Sequence, residues 1–474
     1  MSSKEEKMKR KGNTIGTGVM ASYGVGKFLA EFLTGAFGAI VFKFYETEIG
    51  LAAGYAAIAT IIYSLWNAVN DPIIGFVTNR KAPFSHKLGR RFPWIIIGLL
   101  LSAVSFVLIF AVPASWRSQI KSNPFPVFIW MVVTICLYDG VYSLWEVNYQ
   151  SVYPDKFRSQ AVRTKAAAIS TAVGVLGVAA GFVVPPLFFS YGDVGSYLVS
   201  GWVIAAIAVA GTLLIIPGIF ETKGMIERFR KQQQMIREEA KEEHRFFPSM
   251  KRALSHRDLI AFILLLFLYQ SGTMCMTSSI HYVGNYILNV PSSGTTIIFA
   301  GMLIGTLLSI PLWSLLSRKL KNNQRMLLIT SLVMAVFAFP MTFGRSKIFF
   351  TIFMALWGIG FGGFWTFMTP AMADIVDEIV VKDKRRDDGI LMGIRAFFMR
   401  FSYASQAIVF WLIHRLTNFS SDPYSKSSQM GISLHMATVP ALFFLAGAIV
   451  FYLLNTLTPD KVAKNKEELS MLDI

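Results

Sequence analysis

Charge is scarce in this sequence. Asp, Glu, Lys and Arg make up 15% of its 474 residues, against about 25% in soluble globular chains. Cysteine is nearly missing. The two present, Cys136 and Cys275, both fall in apolar stretches. They say nothing about a disulfide framework, and their separation excludes a zinc-ligand spacing. Histidine is also rare, at 6 residues, and no metal-binding or nucleophile motif occurs, so the chain does not read as an enzyme. Ten-residue stretches of alternating hydrophobicity are lacking too, which excludes a membrane β-barrel. The basic start, Met1 to Lys11, is not followed by a short apolar region with a small-residue cleavage site. The first apolar segment therefore reads as a retained helix rather than a signal peptide.

What the chain has in quantity is apolar sequence: 54% hydrophobic and 14% aromatic residues, with a mean hydropathy of +0.51. Crossing about 30 Å of hydrocarbon at 1.5 Å per residue takes roughly 20 apolar residues. Such runs recur near 18–45, 51–77, 93–113, 125–152, 164–189 and 197–220, then near 259–288, 294–316, 326–344, 347–372, 390–416 and 432–457. Only helices satisfy their own backbone polar groups in lipid over continuous apolar runs. The pattern predicts an all-α membrane protein of twelve transmembrane helices in two six-helix halves. Residues 1–220 form the first half, 221–258 a charged linker and 259–474 the second half with its tail. The linker reads as a surface helix joining the halves, either a solvated tether or a contact for anionic lipid.

The formal charge of +17 reports topology rather than nucleic acid. With both termini on one side, that side collects about 34 Lys and Arg and the other about 6, which makes the rich side cytoplasmic. The expected location is the cell membrane. The halves also echo each other: Pro72 to Arg80 after the second span resembles Pro311 to Arg318 after the eighth. Both pair a mid-helix proline with a basic exit.

Ionisable side chains inside a bilayer are expensive unless paired or wet, so each is a functional candidate. The first half offers Lys27, Glu31, Asp71, Asp139, Glu146 and Lys165; the second offers Asp374, Asp377, Glu378, Arg395 and Arg400. Lys43 and Arg415, near span ends, are expected to snorkel to the surface. Lys27 and Glu31, four apart, share a helix face. They read either as a local ion pair or as a substrate carboxylate whose charge Lys27 sets. Asn67 and Asp71 share a face next to Pro72, which frees a carbonyl. That oxygen-rich group suits Na⁺, a proton on Asp71, or an interhelical hydrogen bond. Tyr142 and Glu146 are aligned four apart, with Ser143, Asn148 and Gln150 beside them. A carboxylate and a ring together bind a sugar, through paired hydroxyls and an apolar C–H face; a polar interhelical seam is the other reading. Arg400, opposite a carboxylate-rich half, is expected to pair across the interface.

At these residues the sequence resembles the glycoside–pentoside–hexuronide:cation symporters, the melibiose-carrier-like family of the major facilitator superfamily. Ser22-Tyr-Gly24 with Glu31 and Phe32, Asn70-Asp-Pro-Ile-Ile-Gly75, and Ala373-Asp-Ile-Val-Asp377 with Arg386 and Gly389 carry the likeness, in order, over nearly the whole chain. The resemblance implies the major facilitator fold and substrate binding by Glu31, Tyr142, Glu146, Lys165, Trp365 and Arg400. It implies a cation site of Asn67, Asn70, Asp71 and Ser143. It departs from the family pattern where Glu31 and Glu146 replace Asp, Lys165 replaces Arg, Arg400 replaces Lys, Gln150 replaces Trp, and Asn67 replaces a cation-site Asp. The last change removes a charge and weakens the case for tight Na⁺ binding.

The expected function is cation-coupled symport of a sugar or glycoside by alternating access, with H⁺ or Na⁺ as coupling ion and no other cofactor. The expected partners are a small-molecule substrate and membrane lipids, with no nucleic acid, for a monomer. Animal lysolipid carriers resemble the same family, so transport of a lysolipid or other amphiphile is one alternative, and a non-transporting membrane sensor another.

Overall fold

The computed structural model of the chain describes residues 15–78, 88–222, 224–227, 254–384 and 388–472. Among them every regular element is helical and no strand occurs. Helix α1 (Thr17–Lys43) continues into a π-helical turn, Phe44–Glu48. Then follow α2 (Ala53–Thr78), α3 (Phe92–Phe110), α4 (Phe125–Lys156), α5 (Gln160–Val183) and α6 (Val194–Ile219). Helix α7 (Arg257–Tyr282) ends in a second π-helical turn, Val283–Ile287. Helices α8 (Ser292–Leu320), α9 (Asn323–Ala338) and α10 (Lys347–Asp383) come next. The eleventh is in two pieces, α11a (Asp388–Arg400) and α11b (Ser402–Leu416). Helix α12 has three parts: Lys426–Ser433, a π-helical turn Leu434–Thr438, and Val439–Leu454. A last helix, α13, spans Pro459–Leu472.

Among the described residues, eleven of these helices are long and apolar enough to cross a membrane by length and composition. Helix α2, the twelfth, has 26 residues; Asn67, Asn70, Asp71 and Pro72 lower its hydropathy. The same helix pairings recur six helices apart. α1 packs on α5 and α6, α2 on α4, and α3 on α4 and α6. Likewise α7 packs on α11b and α12, α8 on α10, and α9 on α10 and α12. The first six meet the last six where α1 touches α7, α2 touches both parts of the eleventh helix, and α5 touches α8.

Three local features differ from expectation. Helix α10 runs through Pro370 for 37 residues, past the expected end at 372. Its late carboxylates have partners: Asp374 accepts from Asn323 Nδ2 at 2.8 Å and meets Lys466 at 3.4 Å. Glu378 meets Lys382 at 2.7 Å and Lys461 at 3.3 Å. Lys461 and Lys466 lie on α13, so these charges fasten the C-terminal helix to α10. The eleventh span breaks at Phe401, directly after Arg400. Lys43 does not snorkel: it is 2% exposed and bonds Glu48 at 2.8 Å, because the π-helical turn brings residues five apart onto one face. The expected linker helix falls largely on residues 228–253, outside the described residues.

Lipid-embedded helices associate through small residues that let backbones approach. Helix α8 presents Gly301 and Gly305 to α10, which presents Gly358 and Gly362 in return. A Cβ on Gly305 would sit 1.8 Å from the Ala355 carbonyl oxygen, and one on Gly358 2.3 Å from that of Met302. Backbone cannot yield as a side-chain tip does. Gly305→Ala and Gly358→Ala are each expected to destabilise the protein by about 1–3 kcal/mol, the usual cost of overpacking. Gly393→Ala, which meets nothing within 4 Å, should show no such loss. Melting of the detergent-solubilised protein, followed by size-exclusion chromatography after heating, checks this.

Candidate functional site

A cavity of about 670 Å³ lies between the two sets of six helices. Pockets for drug-sized ligands commonly span about 300–1,000 Å³. Its walls come from α1 (Lys27, Glu31, Thr34), α2 (Asn67, Asp71), α4 (Asp139, Tyr142, Glu146, Gln150), α7 (Gln270) and the eleventh helix (Arg395, Met399, Arg400). Its depth is closed by four rings. Phe37 stacks on Tyr63 with centroids 5.0 Å apart and on Tyr138 at 5.4 Å, while Tyr403 meets Tyr63 edge-on at 5.6 Å. Gln150, one turn beyond Glu146, is exposed and marks the mouth. The mouth thus faces the side of the membrane where α1 begins and α4 ends, the terminal face.

Each wall follows from helical spacing. Tyr138, Tyr142, Glu146 and Gln150 recur every four residues and line one stripe of α4. Tyr142 shares a hydrogen bond with Thr34 Oγ1 at 3.2 Å and donates to the Ala30 carbonyl at 3.3 Å. Gln150 Nε2 donates to Glu146 Oε1. Lys27 and Glu31 form their i,i+4 pair at 2.6 Å and also line the cavity. The local ion pair is therefore present, and both of its members border the cavity.

Arg400 crosses the interface. One guanidinium nitrogen donates to Asn67 Oδ1 and the other to Asp71 Oδ2. A guanidinium is a rigid fork of donors matched to such oxygen pairs. The break at Phe401 ends α11a at this residue. Asn70 turns away from Asp71: its Nδ2 donates to Asp139 Oδ2 at 2.9 Å and to the Asp139 carbonyl at 3.1 Å. Ser143 is 1% exposed and does not line the cavity.

The expected cation-site residues fit a coupling cation only in part. Two of their oxygens, Asn67 Oδ1 and Asp71 Oδ2, are held by Arg400. Asp71 Oδ1 and Ser143 Oγ are buried and lack a partner among the described residues, so oxygen ligands remain. A cation binding at Asp71 and Asn67 together competes with the guanidinium.

The six expected substrate residues divide. Glu31, Tyr142, Glu146 and Arg400 line the cavity; Lys165 and Trp365 do not. Lys165 donates to Thr17 Oγ1 at 2.9 Å, joining the second turn of α5 to the first turn of α1 at the terminal face. Trp365 is 44% exposed and stands edge-on to Phe361 at 6.4 Å. Spacing along one helix does not report its rotation against the others. In contrast, Asp139, Tyr63, Tyr138, Tyr403 and Arg395 line the cavity without having been assigned a role. The signal for Tyr138 and Asp139 was present, one turn ahead of Tyr142 on the same helix.

Comparisons with known proteins identify the family and the fold. The sequence pattern of a family described as MFS/sugar transport protein matches residues 22–456. The chain is 22% identical to sodium-dependent lysophosphatidylcholine symporter 1 of Mus musculus, over 88% of this chain and 81% of that one. It is 23% identical to lactose permease of Lactobacillus helveticus, over 97% of this chain and 70% of that one. Its fold superposes on the crystal structure of the nucleoside transporter NupG with a TM-score of 0.60 at 12% identity, covering 93% of this chain and 100% of that one. These relatives are transporters rather than enzymes, and the apolar helices mark a multi-pass membrane protein. By the match along residues 22–456 and by the fold that carries it, the chain belongs to the MFS/sugar transport protein family of secondary transporters.

Proposed function

We propose that the protein is a cation-coupled symporter of a sugar or glycoside. One observation carries this reading: two carboxylates, Glu31 and Glu146, and the ring of Tyr142 line one cavity whose depth is closed by stacked rings. Carboxylates accept from adjacent sugar hydroxyls, and aromatic faces cover the apolar C–H side of a pyranose. Glu31, Tyr142 and Glu146 hold the substrate from the first half, and Arg400 closes the site from the second. The coupling ion is H⁺ or Na⁺ and acts around Asp71, with Asn67 as a neutral ligand. The two halves rock about this site. The Lys- and Arg-rich terminal face is cytoplasmic, so the cavity opens inward in a cell membrane, and the chain acts as a monomer.

A second reading, transport of a lysolipid, has its own observation. Arg395 lines the cavity, and its Nε is buried without a partner among the described residues. A guanidinium with no carboxylate partner among the described residues suits a phosphate, and the relative in Mus musculus is named for lysophosphatidylcholine.

Counterflow in proteoliposomes separates the two. Vesicles preloaded with unlabelled compound are given the same compound as tracer, across a panel of sugars, glycosides and lysophospholipids. Accumulation of a sugar or glycoside is expected. Accumulation of a lysophospholipid alone would establish the second reading.

A further inference from the structure

The face opposite the cavity mouth holds a buried chain of titratable groups that links the two halves. Glu46 lies in the π-helical turn that ends α1. Its Oε1 is 2.6 Å from His414 Nδ1 of α11b, and its Oε2 accepts from the Tyr282 hydroxyl of α7 at 2.5 Å. His414 Nε2 is 3.1 Å from His435 Nε2 of α12. His435 Nδ1 is 2.6 Å from Ser279 Oγ, which donates to the Cys275 carbonyl. The side chains of His414 and Glu46 are 2% and 6% exposed; His435 is fully buried. Glu46 and His435 both sit in π-helical turns, a distortion often found at functional sites.

The hydrogen bonds fix where the protons are. Ser279 gives its proton to the Cys275 carbonyl, so His435 Nδ1 must donate to Ser279. A neutral His435 then accepts at Nε2, and His414 Nε2 carries a proton. That leaves one proton for the short link between Glu46 Oε1 and His414 Nδ1. Removing it sets a carboxylate against a bare nitrogen lone pair. Adding a second proton to the histidine pair sets two N–H groups against each other.

We propose that Glu46 and His414 form a proton-binding site that exists only while the two halves are closed at this face, so that closure takes up one proton from the solution there. Neighbouring charges do not supply or cancel that proton. Lys43 is matched by Glu48 at 2.8 Å, and Glu48 is held further by Gly192 N at 2.7 Å and Tyr197 at 3.0 Å. The Lys43 ammonium also lies over the rings of Tyr191, Tyr282 and Tyr286. His281 bonds Tyr191 and Thr295, and Arg415 turns outward over Trp411. Rings separate the site from the cavity: Phe410 meets Phe42 edge-on at 5.4 Å and lies 4.3 Å from His435.

When the halves part, Glu46 leaves with the first and His414 with the second, and both meet water. There nothing holds the shared proton between them, and it is free to leave to the solution. Closure must then take one up, so the closed-to-open ratio falls as pH rises.

The test is the spin-label distance across this face in the full-length protein in lipid nanodiscs. Labels go at exposed Ser118 and Ser421, on the loops flanking α4 and α12, with Cys136 and Cys275 replaced by Ala. The short-distance population should fall steeply from about pH 5.5 to about pH 8. In Glu46→Gln, the carboxamide donates to a neutral His414 and accepts from Tyr282, so closure needs no proton and the fall should vanish. His414→Gln should remove it as well, and decides the matter if Glu46→Gln does not fold. A wild-type distance distribution indifferent to pH would overturn the proposal. So would a pH response that persists in either folded variant.

Discussion

Replacing Glu146 by Gln is expected to lower substrate affinity by about ten-fold or more while leaving the protein folded. A hydrogen bond to a charged group contributes roughly 1.5–3 kcal/mol, and about 1.4 kcal/mol is a factor of ten. The carboxylate lies on the cavity stripe of α4, where Gln150 already donates to it. Glutamine keeps the shape and removes the charge. Glu31→Gln is expected to do similar damage by a further route, since it also strips Lys27 of the partner 2.6 Å away. The measurement is binding and uptake of whichever compound counterflow identifies. Near-normal binding by both variants would remove these carboxylates from the site.

Arg400→Ala is expected to reduce transport by at least about ten-fold with normal expression. In the structure the guanidinium joins the halves by bonding Asn67 and Asp71 at once. Removing the guanidinium from this pair, whose side chains are 24% and 25% exposed, leaves the other charge without compensation. Here the stranded charge is Asp71, whose other oxygen is already buried without a partner among the described residues. Asp71→Asn in the same background removes that stranded charge. The double variant should therefore be folded as well as wild type, yet uncoupled. A cation binding at Asn67 and Asp71 would compete with Arg400 for the same oxygens, which leads to a second readout. Asn67→Asp adds a negative charge to the set and should strengthen any Na⁺ stimulation of uptake, since hard cations gain from carboxylate ligands. Full, uphill transport by Asp71→Asn would move the coupling site elsewhere. Uptake that depends strictly on Na⁺ at constant pH would show that neutral ligands suffice for sodium.

Much of this molecule is legible in the amino-acid sequence. Hydropathy is a local property, so the apolar runs mark most of the spans to within a few residues, and α2 is found despite its polar stretch. The cost of burying charge belongs to the group itself, so Glu31, Asp71, Asp139, Glu146, Arg395 and Arg400 can all be singled out. Local i,i+4 geometry gives the Lys27–Glu31 pair and the Tyr142–Glu146 stripe.

Other features depend on how helices are turned and where they meet. Arg400 was expected to pair across the interface, but only the packing of α2 on the eleventh helix selected Asn67 and Asp71. Packing between helices likewise directed Asn70 to Asp139 and placed Lys165 and Trp365 away from the cavity. Lys43 looked free to reach the surface because its partner, Glu48, comes into range through a π-helical turn that no apolar periodicity signals. The chain from Glu46 through His414 to His435 joins segments far apart in sequence, each ordinary when read alone. Sequence determined which groups must be satisfied inside the membrane, because the energy of burying them is set by the groups themselves. Tertiary structure alone decided which partners satisfy them, because that choice is made by contacts between helices distant in the chain.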